Sequence, residues 1–225
     1  MRLIAIFLGL TAANGLATDS WTPLFDGKSL AGWRWDKPGE SNVPSWEARD
    51  GMLCTTPGQG KAVYLISERE FEDFELRFEW RTETGGNSGI KYRIQTWGNS
   101  DRRLEPSGLE YQITDDVDNR DAKSAVKHTS GAIYDYVAPE KRNPARADVW
   151  HRAGIVVKGT KIEHWLDGER TVALDLATEQ AKLAFATSKR GSREMLRKQE
   201  QKKSPIALQI HDGVVCFREL KVKPL

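Results

Sequence analysis

Cysteine is scarce in this chain: Cys54 and Cys216 are the only two, and neither has a histidine or second cysteine at metal-finger spacing. No zinc finger is expected. An excess of one charge is also missing, since 34 Lys and Arg against 32 Asp and Glu leave a net charge of +2. The basic stripe that would hold a nucleic-acid backbone is absent, and no nucleic-acid partner is expected. Long apolar runs are missing too. The run from Leu3 to Leu10 falls short of the about 20 residues that span a bilayer, so no membrane span is expected. Preceded by Arg2 and followed by small and polar residues ending Gly15-Leu16-Ala17, it has the order of an export signal. Residues 1–17 are therefore expected to be removed on export to the periplasm or the extracellular space, leaving 18–225 as one domain. In such a compartment Cys54 and Cys216 either bridge neighbouring strands or stay as buried thiols.

What is present is alternation. Phe74, Leu76, Phe78 and Trp80 alternate with Glu75, Arg77, Glu79 and Arg81, the period of a half-buried strand. After the glycine-rich stretch Gly85 to Gly89 the alternation resumes with Ile90, Tyr92 and Ile94 against Lys91, Arg93 and Gln95. The two segments read as an antiparallel hairpin whose polar faces lie side by side. Further short apolar segments follow the same rule: Leu109 to Asp115, Gly131 to Val137, Arg152 to Leu174, and a last pair around Leu208 and Cys216. Asp-Gly pairs at 26–27 and 50–51 mark turns. Only Ala177 to Lys203 breaks the pattern, with a short helix and then a charged connection. Short strands at this spacing, without a long amphipathic helix, predict an all-β sandwich of two antiparallel sheets.

If Ile90, Tyr92 and Ile94 point to the core, Arg93 points away, and the same rule sends Glu110, Gln112, Gln209 and His211 outward. A polar sheet face carrying Glu79, Arg93, Glu110, Gln112, Gln209 and His211 supplies donors and acceptors for sugar hydroxyls, with Trp or Tyr beside it to stack on a ring. Asn87 and Ser88, in the glycine turn, read as fixing the loop through backbone bonds, with Asn87 a further substrate contact. An ordinary retaining glucanase needs two carboxylates about 5 to 5.5 Å apart. Beside Glu110, the positions for a second are occupied by Gln112 and Thr114. His128 sits in a polar stretch, and of His164 and Trp165 one is expected to pack inward.

The ordered set of motifs FDGKSLAGW, Trp46 with Asp50-Gly51 and Leu53, DFELRFEWR, GGNSGIKYR, GLEYQITDD, GAIYD, the Trp150 segment, KGTKIEHWLDG and IALQIHDG with VCFREL closely resembles the 3-keto-disaccharide hydrolase family. The resemblance runs from Trp21 to Val222. It implies a jelly-roll sandwich of the concanavalin A-like kind, in exported bacterial proteins that act on sugars. This chain departs from the family pattern at Ile210, which stands where an acidic residue often precedes the histidine, at Asp167 of Leu-Asp-Gly, and at His151 after Trp150. The chemistry implied is loss of the C2 proton beside a C3 ketone, expulsion of the C1 substituent and rehydration. His211 or Glu110 would be the base, Arg93 the enolate stabiliser, and Gln112, Gln209, Glu79 and Asn87 substrate contacts. A divalent metal bound by Glu and His would be an alternative to Arg93. A non-catalytic glycan-binding domain on the same sandwich is the second reading.

Overall fold

The computed structural model describes residues 20–35, 46–56, 64–100, 103–141, 143–189, 196, 199 and 203–225, with the backbone alone at 95–100 and 103–107. The export signal expected at 1–17 lies outside the described residues. In chain order the strands are β1 (Thr22–Pro23), β2 (Trp33–Trp35), β3 (Trp46–Arg49), β4 (Met52–Thr55), β5 (Tyr64–Phe71), β6 (Phe74–Thr82), β7 (Asn87–Ser100) and β8 (Arg103–Thr114). After helix α1 (Arg120–Ser124) come β9 (His151–Lys158), β10 (Lys161–Leu166) and β11 (Glu169–Asp175). Helix α2 (Glu179–Thr187) precedes β12 (Ser204–Asp212) and β13 (Val215–Pro224). They form two antiparallel sheets. The larger runs β11-β10-β9-β6-β13-β4-β3 with β1 also on β13, and the smaller runs β2-β5-β12-β7-β8.

The core lies between them. Leu76, Phe78 and Trp80 from the larger sheet meet Ile90, Tyr92, Leu109, Tyr111 and Leu208 from the smaller, all fully buried or nearly so. The alternation of β6 predicts this inward set correctly. The expected hairpin does not form, however. β6 pairs with β9 and β13, whereas β7 pairs with β8 and β12. The residues between β6 and β7 carry the chain from one sheet to the other. The Gly86 carbonyl accepts from the Asp115 amide at 3.0 Å, and the Gly85 amide donates to the Asp115 carboxylate at 2.9 Å, which pins the corner to the end of β8. Alternation states which way a side chain points but not which neighbour the strand takes, and a glycine corner looks like a glycine turn. The polar faces of β6 and β7 therefore lie on opposite outsides of the sandwich.

The two cysteines are bridged. Cys54 of β4 and Cys216 of β13 are cross-strand partners, and the bridge ties β4 to the last strand. His164 is the inward member of its pair and Trp165 the outward one. Burial brings the His164 pKa down to about 3. The Gly131 carbonyl can only accept, so the ring proton sits on Nδ1 at 3.1 Å from it, and Nε2 accepts from the Tyr92 hydroxyl at 2.8 Å. His164 is a neutral core residue and no part of a site.

Candidate functional site

Gly89 is the centre of the outer face of the smaller sheet. Its register places it between Gln209 of β12 and Gln112 of β8, and Tyr64 of β5 stands opposite Gln209 on the far side. One residue pair along, Lys91 lies between Ala207 and Glu110. Since outward positions recur every second residue, Asn87, Gly89 and Lys91 share a face with Glu110 and Gln112. A Cβ on Gly89 would come within 2.4 Å of Glu110 Oε1, so the carboxylate packs directly on the strand backbone in a place that only glycine leaves free for it.

Around Gly89 the polar groups are linked. Lys91 Nζ is 3.0 Å from Glu110 Oε2, and the same ammonium lies 5.8 Å from the Tyr64 ring centroid. Gln209 Nε2 donates to the Tyr64 hydroxyl at 3.1 Å, and Gln112 Nε2 donates to Asn87 Oδ1 at 3.1 Å. All six side chains are buried, Glu110 being 5% exposed. Charges held at this distance away from water interact far more strongly than a surface pair does. Gln112 Oε1 is buried without a hydrogen-bond partner among the described residues. An acceptor left in that state costs about 1–3 kcal/mol, and a ligand hydroxyl that donated to it would recover the loss.

The face thus unites four of the residues singled out in the sequence, Glu110, Gln112, Gln209 and Asn87, and adds Lys91 and Tyr64. Three others stand apart. Glu79, on β6, lies on the outside of the larger sheet between Arg152 (3.1 Å) and Arg218 (2.7 Å). Burial raises its pKa, but these two arginines outweigh it and hold the carboxyl below the usual range. The sheet change at the glycine corner puts it there.

Arg93 does not face outward with Lys91. It sits at φ 50°, within a register shift between Tyr92 and Thr96, and this bulge breaks the alternation. Beyond it Ile94 joins Tyr64, Ile66 and Ala207 instead of the main core. The Arg93 guanidinium donates to the carbonyls of Gly159 and Gln199. Burial draws its pKa below the ordinary arginine value. It is a clamp on the β9–β10 turn.

His211 occupies a second bulge, where pairing with β7 passes from Ile210 to Asp212. Its side chain is 51% exposed and its Nδ1 lies 2.8 Å from the Asp212 carboxylate. No contact joins it to Glu110 among the described residues. His128 lies at the edge beyond β8, stacked on Tyr134, with Nδ1 3.0 Å from Asp121 and Nε2 3.3 Å from Asp135. The Tyr134 amide donates to the Glu110 carbonyl, so this cluster borders the face. Among the described residues no three His, Cys, Asp or Glu side chains are grouped to hold a metal ion, and the partner of Glu110 is a cation. Among the described residues, this donor set does not suit a divalent metal.

Lys91 was legible as an outward residue beside Glu110 once β7 and β8 were known to pair. The signal missed was pairing, not residue type.

The fold is thus a jelly-roll sandwich with a desolvated acid, lysine and amides on one sheet face. The 3-keto-alpha-glucoside-1,2-lyase-like domain family matches residues 20–223. A 3-keto-disaccharide hydrolase of Bacteroides thetaiotaomicron is 32% identical over 231 residues, covering 92% of this chain and 79% of that protein. The chain belongs to this family, as a hydrolase of it. The fold also resembles a crystal structure from Parabacteroides distasonis, with a TM-score of 0.77 at 21% identity over 92% of this chain and 95% of the other. A Bacillus subtilis protein with a galectin-like fold gives a TM-score of 0.57 at 13% identity, over 91% and 94% of the two chains.

Proposed function

We propose that the chain hydrolyses 3-keto-glycosides by elimination and rehydration on the outer face of the smaller sheet. The observation that carries this reading is the buried Glu110–Lys91 pair packed over Gly89, beside the partnerless carbonyl of Gln112. Glu110 takes the C2 proton, and Lys91 stabilises the charge that develops on the C3 oxygen. When the enolate collapses to the ketone, the C1–C2 double bond forms and the C1–O bond breaks. The leaving oxygen takes a proton, for which the Tyr64 hydroxyl is the donor on this face. Water then adds its oxygen to C1 and a proton to C2, so the sum is one water consumed per bond cleaved. Gln112, Gln209 and Asn87 orient ring hydroxyls.

An ordinary two-carboxylate route is not supported, because the outward neighbours of Glu110 among the described residues are Gly89, Lys91, Gln112 and Thr114. The relative named a 3-keto-disaccharide hydrolase supports the keto substrate. The Cys54–Cys216 bridge supports export to an oxidising compartment.

Turnover in deuterated water tests the route. A 3-keto-glucoside should acquire deuterium at C2 as it is cleaved, and the parent glucoside should stay intact. Cleavage of the unoxidised glucoside at a comparable rate would sink the elimination route. Binding of both sugars with turnover of neither would instead favour a glycan-binding domain.

A further inference from the structure

The outer face of the larger sheet carries a groove of about 460 Å³ that the reaction above does not use. Gly154 of β9 forms its floor, flanked in register by Arg77 of β6 and Trp165 of β10. Two strand spacings set the walls roughly 9 to 10 Å apart. Trp165 is 36% exposed, a large aromatic beside the ion pairs of this face. In the next row Glu75 and Glu163 flank Val156.

The groups around the groove are held before any ligand arrives. Glu75 Oε1 accepts from Arg77 Nε at 2.8 Å, and the Arg77 guanidinium lies 4.5 Å from the centroid of the Trp21 ring. Glu163 accepts from Trp165 Nε1 and from Arg170, each at 3.1 Å. Side chains already immobilised lose little further entropy on binding. The lining charges also balance, Arg77 and Arg152 against Glu75 and Glu163. Such a lining favours neither an anion nor a cation. An aromatic face beside planar, bidentate donors and acceptors fits the C–H face and vicinal hydroxyls of a neutral sugar ring. We infer that this groove is a second saccharide site, on the opposite outside of the sandwich from Glu110, with Trp165 as its stacking platform. It would hold an unoxidised glycan against the enzyme while a separate sugar is processed.

The test uses the 15N-labelled mature chain, titrated with maltose, cellobiose and trehalose, with the Trp165 indole resonance assigned through Trp165→Phe. At least one of these sugars should shift that resonance, in the parent and in Glu110→Gln alike. Trp165→Ala, whose binding is read by calorimetry against the parent because the indole is gone, should bind roughly tenfold or more weakly, the loss of a stacked ring. Gly154→Val should do the same by filling the floor: its Cβ meets Leu76 O at 3.4 Å and Trp165 Cβ at 3.7 Å, so the strand tolerates it. This second variant keeps the test valid if Trp165→Ala fails to fold. No shift of the Trp165 resonance with any of the three sugars overturns the site. So does binding lost in Glu110→Gln but kept in Gly154→Val, which would move the sugar to the Glu110 face. A dimer in sedimentation that either groove variant dissolves would make the groove an interface between copies and overturn it as well.

Discussion

At the scale of the residue, Glu110 and Lys91 form a unit whose two members fail differently. Glu110→Gln should lower turnover of a 3-keto-glucoside by about 10² to 10⁴, the range of a general base. It also leaves the Lys91 ammonium buried without its carboxylate, which should cost on the order of 3 kcal/mol. A cleft-exposed carboxylate would cost little. Replacing both, as Lys91→Met with Glu110→Leu, should restore most of the stability in urea denaturation and none of the activity. Turnover retained in Glu110→Gln would remove the residue from the reaction. Arg93 gives the opposite expectation. Because its guanidinium holds the carbonyls of Gly159 and Gln199, Arg93→Met should cost about 1.5 to 3 kcal/mol per charged hydrogen bond lost, with kcat little changed. A variant as stable as the parent but inactive would return Arg93 to the enolate-stabilising role.

At the scale of the element, the informative strand is β7. Its alternation correctly sends Ile90 and Tyr92 inward and Lys91 outward, but the bulge at Arg93 reverses the rule at Ile94. The inward sets of β6 and β8, and so the core, were legible because side-chain direction is a local property. Glu79 was misplaced because partner choice is not local. A strand leaving a glycine corner for the other sheet has the same period as one folding back on its neighbour. Gly89 was legible only as an interruption in an alternating strand, and its purpose emerges from the register that sets Glu110 beside it. Gly89→Ala follows from that register. Its Cβ would lie 2.4 Å from Glu110 Oε1, so the carboxylate must swing away and kcat/KM should fall at least about tenfold, while the strand φ permits alanine. Full activity in Gly89→Ala would mean that Glu110 moves freely and is not preorganised.

At the scale of the whole molecule, acid stability turns on a histidine far in character from the site. The bridge between Cys54 and Cys216 closes a loop spanning 162 positions in sequence, for which chain entropy sets an upper limit of about 5 kcal/mol, so acid titrations must be run with the bridge intact. His164 is neutral in the folded protein down to about pH 3, whereas in the unfolded chain it takes up its proton near 6.5. Between those values the unfolded state binds more protons. Stability therefore rises with pH across this window, is complete above about 6.5, and is lost at roughly 1.4 kcal/mol per pH unit as the pH falls toward 3. His151 has the opposite sign. Burial pulls its pKa down, but the Asp167 carboxylate at 2.7 Å and the Arg146 carbonyl outweigh this and lift it above the ordinary value. Its contribution is full below about 6.5 and fades as the pH rises through the folded pKa. The two histidines can be separated by substitution. His164→Gln should lower stability at pH 7, since glutamine meets Tyr92 and Gly131 less well, yet flatten the decline between pH 6.5 and 4 by about 1.4 kcal/mol per unit in urea denaturation. Asp167→Asn should instead weaken the protein most below pH 6.5, where the charged His151 loses its partner. Acid limbs that run parallel in the parent and in His164→Gln would show that His164 is protonated in the folded state, and would reassign the proton to the carboxylates.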